Sequence, residues 1–461
     1  MSGKDLGQVR TAENSGEPHV QITSSQQGAG PLRSRRQREL LALMMGLFFA
    51  FGFCTVLVDT LIPKLKAVFS LSYAEVMLTQ FCFFLAYFLV SGPAGWLVAR
   101  LGYLRAITLG LVVMAAGCVL FTPAARAGSY PGFLGALFIL ASGVTTVQVA
   151  ANPLTALLGD PATAHSRLTL AQAFNSVATM VGPIFGSAVI LAHSAVMPDP
   201  RSLSAQALAA LRRHEAHSVQ APFLGIAASL LVLAVFCAFV RSWAPAARGG
   251  RGPGSFADLL RNRRLMLGAL SIFAYVGAEV SIGSAIANYL MLKHTVALPL
   301  RDAGRLVAVY WGLAMVGRFA GAQILRHVSP SLVLVACAAG SGLLAATAGV
   351  SAGLVAAVAI LCVGLFNSIQ FPTIFTLAIE GLGEETPQAS GLLCLAIVGG
   401  AVVPEITGVA ADHIGLALAL FVPAACYAWI AGYGLITSRR PGPHPAVPLP
   451  LTSETAGGSA R

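Results

Sequence analysis

The chain has 461 residues, of which 56% are hydrophobic and only 10% charged. Soluble domains carry about 25% charged residues, so this composition excludes a chain whose main solvent is water. The net charge of +11 does not point to nucleic acid either. Its basic residues crowd before the first apolar run (Arg33, Arg35, Arg36, Arg38) and in one central segment (Arg241, Arg248, Arg251, Arg261, Arg263, Arg264), where membrane proteins carry cytoplasmic charge.

Residues 1–38 are polar and rich in Gln, Ser, Gly and Pro, and are expected to be a disordered tail. They lack the charged-then-apolar order of a signal peptide. Twelve apolar runs follow, each near the ~20 residues that cross a bilayer: 41–63, 75–98, 104–124, 132–157, 168–193, 219–241, 265–291, 303–325, 331–350, 354–380, 388–410 and 415–437. With both termini on the cytoplasmic side, inside segments hold 19 Lys/Arg and outside loops 9, which favours that orientation. Outside loop 194–218 includes LSAQALAALRRHEAHS, read as a short amphipathic surface helix. The Gly-, Pro- and Arg-rich stretch 242–264 is a linker that divides the spans into six-helix bundles at 39–241 and 265–437. The tail 438–461 is Pro-rich and expected to be disordered.

The two halves repeat weakly. Gly95–Arg100 and Gly321–Arg326 both read G-x4-R, 226 positions apart. Gln148 and Gln370 are 222 apart, and Asp59 and Glu279 are 220 apart. Parallel repeats place a substrate near the midplane between them. The fold class expected is an all-α membrane protein of twelve transmembrane helices in two pseudo-symmetric bundles.

Polar groups inside the spans are costly, about 2.5–3.5 kcal/mol for a central carboxylate, so they are the functional candidates. Asp59, in FGFCTVLVDTLIP, is read as the proton carrier, with a structural anchor as the alternative. Glu279 shares a helix face with Tyr275 and mirrors Asp59; it is a candidate for cation coupling. Glu405 is read as rim-exposed. Thr145, Gln148 and Asn152 align on span 4, and Gln172, Asn175, Ser176 and Thr179 on span 5. Asn367, Gln370 and Thr373 step along span 10 beside Pro372. Carboxamides donate and accept, which suits a hydroxyl-rich ligand. Interhelical hydrogen bonding is the alternative for any single stripe. Tyr275, Phe371, Phe174 and Trp311 are aromatics available for sugar stacking or plain packing. Gly317–Gly321 and Gly399–Gly400 are expected at close helix crossings.

The eight cysteines lie in apolar stretches without CxxC or Cys/His spacing, so neither a disulfide framework nor a metal site is expected. No nucleotide-binding, GxSxG or HExxH pattern occurs; the chain is read as no enzyme and as needing no cofactor.

The strings VDTLIPKLKAVFSLSYAEVMLTQFCFFLAYF, ILASGVTTVQVAANP, LTLAQAFNS, YVGAEVSIGS and NSIQFPTIFTLAIEGLG resemble the fucose/galactose/glucose proton symporters of the major facilitator superfamily. The resemblance spans residues 38–437 and is nearer to bacterial glucose/galactose transporters than to fucose permease. It implies that Asp59 serves proton coupling and sugar recognition, and that Gln172 and Asn175 bind sugar. Gln148 stands where fucose permease has a membrane glutamate, so Glu279 is taken as the candidate for a second acid. Ala99 stands where the superfamily usually has an aspartate.

The expected function is import of a glucose- or galactose-like hexose by cation symport, with H+ as the expected cation, through alternating access. The chain is expected to work as a monomer in a bacterial inner membrane, with no nucleic-acid partner. The sugar-binding set is Gln148, Asn152, Gln172, Asn175, Asn367, Gln370 and Tyr275. A drug-efflux antiporter would need an apolar cavity, and a non-transporting sugar sensor would usually carry a longer tail; both stay open as alternatives.

Overall fold

The computed structural model describes residues 31–69, 73–127, 129–186, 205–244 and 256–439. Side chains are described throughout except at 31–34, 58–69, 73–77, 125, 186, 205–219, 221, 256 and 257. The expectations for residues 1–30, for 245–255 of the linker and for the tail from 440 lie outside the described residues.

The first half consists of α1 (Pro31–Phe69), α2 (Tyr73–Leu101), α3 (Tyr103–Arg126), α4 (Tyr130–Leu157), α5 (Ala164–Gly186) and α6 (Ala205–Phe239). A short α7 (Phe256–Arg261) precedes the second half, which opens with α8 (Arg263–Met291), α9 (Leu300–Ile324) and α10 (Pro330–Val350). Three broken spans complete it: α11 (Gly353–Asn367) with α12 (Gln370–Ile379), α13 (Thr386–Leu395) with α14 (Gly399–Ile414), and α15 (Leu416–Ala419) with α16 (Phe421–Arg439). Among the described residues, eleven helical stretches are long and apolar enough to cross a membrane. The eighth span, α9, falls short on composition rather than length. It runs 25 residues, about 37 Å at the helical rise, but holds Arg318 and Gln323 within its apolar stretch.

Several boundaries differ from the sequence expectation. α1 already begins at Pro31, inside the stretch read as tail. The expected surface helix and span 6 are one continuous helix, α6, so there is no turn between them. Span 10 is not a single helix: Ser368 and Ile369 form a turn between α11 and α12. Pro372 supplies the reason, since it has no N–H to bond the carbonyl four residues back, and that carbonyl belongs to Ser368. Span 11 is likewise interrupted, by a 3-10 turn at Ala396–Val398.

Within the first half α3 packs against α4 and α6, α1 against α5, and α2 against α4. Within the second half α16 packs against α10 and α8, α9 against α11, and α8 against α14. Between halves the main contacts are α2 with α13 and α5 with α9. In span order these are 2 with 11 and 5 with 8, a pair that exchanges when each span is moved six places. The interface therefore obeys the internal repeat.

Glycine makes the 2–11 crossing close. A Cβ on Gly391 would lie 2.6 Å from the Ser91 carbonyl, and one on Gly95 would lie 2.9 Å from the Pro387 carbonyl. Gly317 and Gly321 similarly seat α9 against Ser368 and Ile369 at the span-10 break, and Gly399 lies against the backbone of Phe273. These glycines fulfil the close-approach expectation. The α4–α5 turn is tied by Arg167, which donates to the carbonyls of Ala156 (2.6 Å) and Asp160 (2.7 Å), satisfying a helix end that would otherwise be orphaned.

Candidate functional site

Glu279 and the Ser368 carbonyl of the second half converge on Arg318, which projects from α9. Its Nε donates to the Ser368 carbonyl at 3.2 Å, the acceptor that Pro372 leaves free. Its Nη1 donates to Ser176 Oγ on α5, in the other half. Its Nη2 lies 3.6 Å from the Glu279 carboxylate, and both side chains are nearly buried, 11% and 15% exposed. Glu279 also accepts a hydrogen bond from the Tyr275 hydroxyl at 2.8 Å, the i to i+4 contact that the sequence spacing implies. A buried arginine and carboxylate compensate each other, and their remaining donors and acceptors must be met by hydrogen bonds; here Ser176, Ser368 and Tyr275 meet them.

The other predicted polar residues divide by their surroundings. Asn367 donates to the Tyr310 hydroxyl at 2.8 Å. Gln370 donates to Ser341 Oγ at 3.0 Å and to the Phe366 carbonyl at 3.2 Å. Both amides are fully buried, and these partners belong to their own half. In the first half, Gln148 donates to the Tyr87 hydroxyl at 2.7 Å and Asn175 to the Phe48 carbonyl at 3.1 Å. Asn152 is fully buried beside the Cys394 thiol. Gln172 lies one turn before Ser176 on α5, and its carbonyl accepts from the Ser176 hydroxyl that receives Arg318. Asp59 falls within α1, one turn after Thr55, but its side chain lies outside the described residues. Glu405 is exposed on α14, as expected.

Arg318 was absent from the sequence-derived candidates, although a lone arginine inside an apolar span is itself a signal. The span-10 stripe is also modified by the break: Asn367 closes α11 and Gln370 opens α12, so the turn lies between the two amides.

The two halves meet at the end of the bundle that holds the start of α1. Ser390 Oγ donates to the Val149 carbonyl at 2.7 Å, and Ser166 Oγ to the Ala322 carbonyl at 2.6 Å. His165 Nδ1 lies 2.5 Å from Thr376 Oγ1, and Arg326 Nε donates to Ser166 Oγ at 3.4 Å. Towards the opposite end is a cavity of about 290 Å³ between the halves. Thr55, Gln80 and Phe83 line it from the first half, and Gly283, Ser284 and Trp311 from the second. None of the eight predicted site residues whose side chains are described lines this cavity.

A membrane-spanning helical protein with two repeated halves, a cavity between them at one end and a hydrogen-bonded seal at the other is a transporter, not an enzyme. The chain belongs to the Major Facilitator Superfamily, whose family model matches residues 43–404. It is 49% identical over 398 residues to a glucose/galactose transporter of Brucella abortus biovar 1 (strain 9-941), covering 85% of this chain and 92% of the relative. It is 32% identical over 403 residues to the L-fucose-proton symporter of Escherichia coli (strain K12), covering 84% of this chain and 91% of the relative. The crystal structure of the superfamily transporter FucP in the outward conformation matches with a TM-score of 0.80 and 31% identity, covering 87% of this chain and 99% of that one.

Proposed function

We propose that the protein imports a glucose- or galactose-like hexose by symport with a cation, H+, through alternating access of its two halves. The observation that carries this reading is the 49% identity to a glucose/galactose transporter across 92% of that relative. The relation to an L-fucose-proton symporter supports H+ as the coupled cation. The positive-inside bias supports cytoplasmic termini, and the bacterial relatives support an inner membrane. On that orientation the sealed end is cytoplasmic and the cavity faces outward, which agrees with the likeness to the outward conformation of FucP.

Asp59 is assigned the coupling proton. Gln148, Asn152, Gln172, Asn175, Asn367, Gln370 and Tyr275 are assigned to the sugar path, reached as the halves rock about the midplane. Glu279 belongs to the coupling machinery as the partner of Arg318. Arg318 holds both Glu279 and Ser176, so it bridges the halves at the level where the spans are broken.

The test is uptake of a labelled hexose panel into proteoliposomes, with pH and Na+ gradients imposed independently. Saturable glucose or galactose uptake driven by the pH gradient is expected. Absence of saturable uptake for every hexose overturns the sugar reading, and accumulation driven by Na+ alone overturns H+ as the cation.

A further inference from the structure

At the sealed end, some polar groups on the seam are paired across the halves and others are not. Ser390, Ser166 and His165 each reach a partner in the opposite half. Four neighbouring residues carry polar atoms with no hydrogen-bond partner among the described residues. These are the Ser91 hydroxyl, both amide atoms of Asn152, the Thr169 hydroxyl and the Gln388 carboxamide oxygen. Ser91, Asn152 and Thr169 are 0% exposed.

Their positions coincide with the crossings between halves. Ser91 lies on α2 where its own carbonyl meets Gly391 of α13, and Gln388 lies on α13 against Gly95 of α2. Asn152 is three residues beyond Val149, the acceptor of Ser390. Its polar neighbour across the seam is the Cys394 thiol, a weak hydrogen-bonding group. Thr169 is three residues beyond Ser166 on α5, with its methyl 4.0 Å from where a Cβ on Gly321 of α9 would stand. The crossings α2–α13, α4–α13 and α5–α9 therefore each bury at least one unmet group.

The two hydroxyls are unmet although their helices offer a partner. A serine or threonine inside a span has the carbonyl four residues back as a ready acceptor, and Thr145, Thr155 and Ser176 all use it. Ser91 and Thr169 do not. A buried polar group without a partner has given up water and gained no bond in return. It regains water when the halves part at this end. Such a group opposes closing, whereas Ser390 and Ser166 favour it.

We propose that these unmet groups are release elements of the seal: they hold the sealed state close in free energy to the open one, so that this end opens in each cycle. The inference rests on alternating access of the two halves, and not on which solute is carried. The close-packed glycines and paired serines shut the seam, and the buried hydroxyls and amides limit how firmly it shuts. Removing a release element without changing its shape tightens the seal, the reverse of deleting a side chain that is bonded across it.

The test follows the reactivity of Cys394 in the purified full chain, since this thiol is buried on the seam. Maleimide labelling is read peptide by peptide by mass spectrometry, with Cys118, buried in the core of the first half, reporting general unfolding separately. Labelling of Cys394 follows the population of the open seal. Ser91→Ala and Thr169→Val are each expected to slow it about fivefold. The two positions sit at different crossings, so the double variant is expected to slow it about 25-fold. Ser166→Ala, which removes a bond across the seam, is expected to speed it. Asn152 is left unaltered because it is also assigned to the sugar path. Labelling at or above the wild-type rate in both Ser91→Ala and Thr169→Val overturns the inference, because it means that the hydroxyls support the seal. The measurement needs no sugar: absence of hexose uptake overturns the sugar reading and leaves this result standing.

Discussion

The Arg318 guanidinium stands 3.6 Å from the Glu279 carboxylate, between α9 and α8, and reaches with its remaining nitrogens to Ser368 in its own half and Ser176 in the other. This ion pair is compensated on every side, so its two members are unequal to any single loss. Breaking a buried pair costs about 3–5 kcal/mol because one charge is left alone. Arg318→Gln is expected to lower the melting temperature in detergent sharply. The double variant Glu279→Gln with Arg318→Gln is expected to recover part of that loss, since it leaves no lone charge. A double variant as unstable as the sum of the singles would show that the two charges do not act as a pair.

Gly391 tests the seal between the halves. Its Cα approaches the Ser91 carbonyl so closely that a Cβ would sit 2.6 Å away, with backbone rather than a flexible side chain in the way. Overpacking costs about 1–3 kcal/mol, which shifts the population of the sealed state roughly 5- to 150-fold. Gly391→Val is expected to reduce the sealed state and, with it, uptake. Labelling of a cysteine placed at Ser390, which now donates to Val149, is expected to rise in the Gly391→Val background. Unchanged labelling would mean that this crossing does not govern the seal.

The extent to which these features can be read from sequence follows from their range along the chain. The Tyr275–Glu279 hydrogen bond needs only helical spacing, and the pattern of apolar runs fixes the spans. Pro372 also announces the span-10 break, because the carbonyl it strands is a fixed four residues away. The partner that takes this carbonyl, Arg318, is 50 residues distant, and Ser176 is 142 residues from Arg318 in the opposite half. No local pattern encodes such pairings; they exist only once spans 5, 8 and 10 are packed. The cavity is hidden for the same reason. Gly283 and Trp311 look like ordinary packing residues until α8 and α9 are side by side. The continuous α6 was missed because its polar first turns read as a surface segment, while helical hydrogen bonding carries through regardless of polarity.

Asp59 carries the coupling assignment. One positive charge entering with a neutral sugar gains about 2.3 kcal/mol per 100 mV, or roughly 50-fold accumulation. Asp59→Asn removes the carboxyl that the proposed coupling requires but keeps a hydrogen-bonding side chain of the same size. Concentrative uptake is expected to vanish, while exchange of labelled for unlabelled hexose continues. Full accumulation by this variant would remove Asp59 from the coupling step.

Gln148 separates a structural role from a binding one. Its amide donates to the Tyr87 hydroxyl at 2.7 Å, and Tyr87 is buried. Gln148→Leu strands that hydroxyl, and an unsatisfied buried polar group costs about 1–3 kcal/mol. Gln148→Glu replaces the amide donor with an acceptor, to which the Tyr87 hydroxyl can donate instead, and adds a titrating carboxylate. If Gln148 contributes only to packing, both variants lose stability and keep the wild-type half-saturation for hexose. If it lies on the sugar path, as assigned, Gln148→Leu raises the half-saturation by more than its loss of melting temperature explains. Gln148→Glu then shifts the pH dependence of the half-saturation relative to the wild type. Half-saturation and melting temperature measured on the same preparations decide between them.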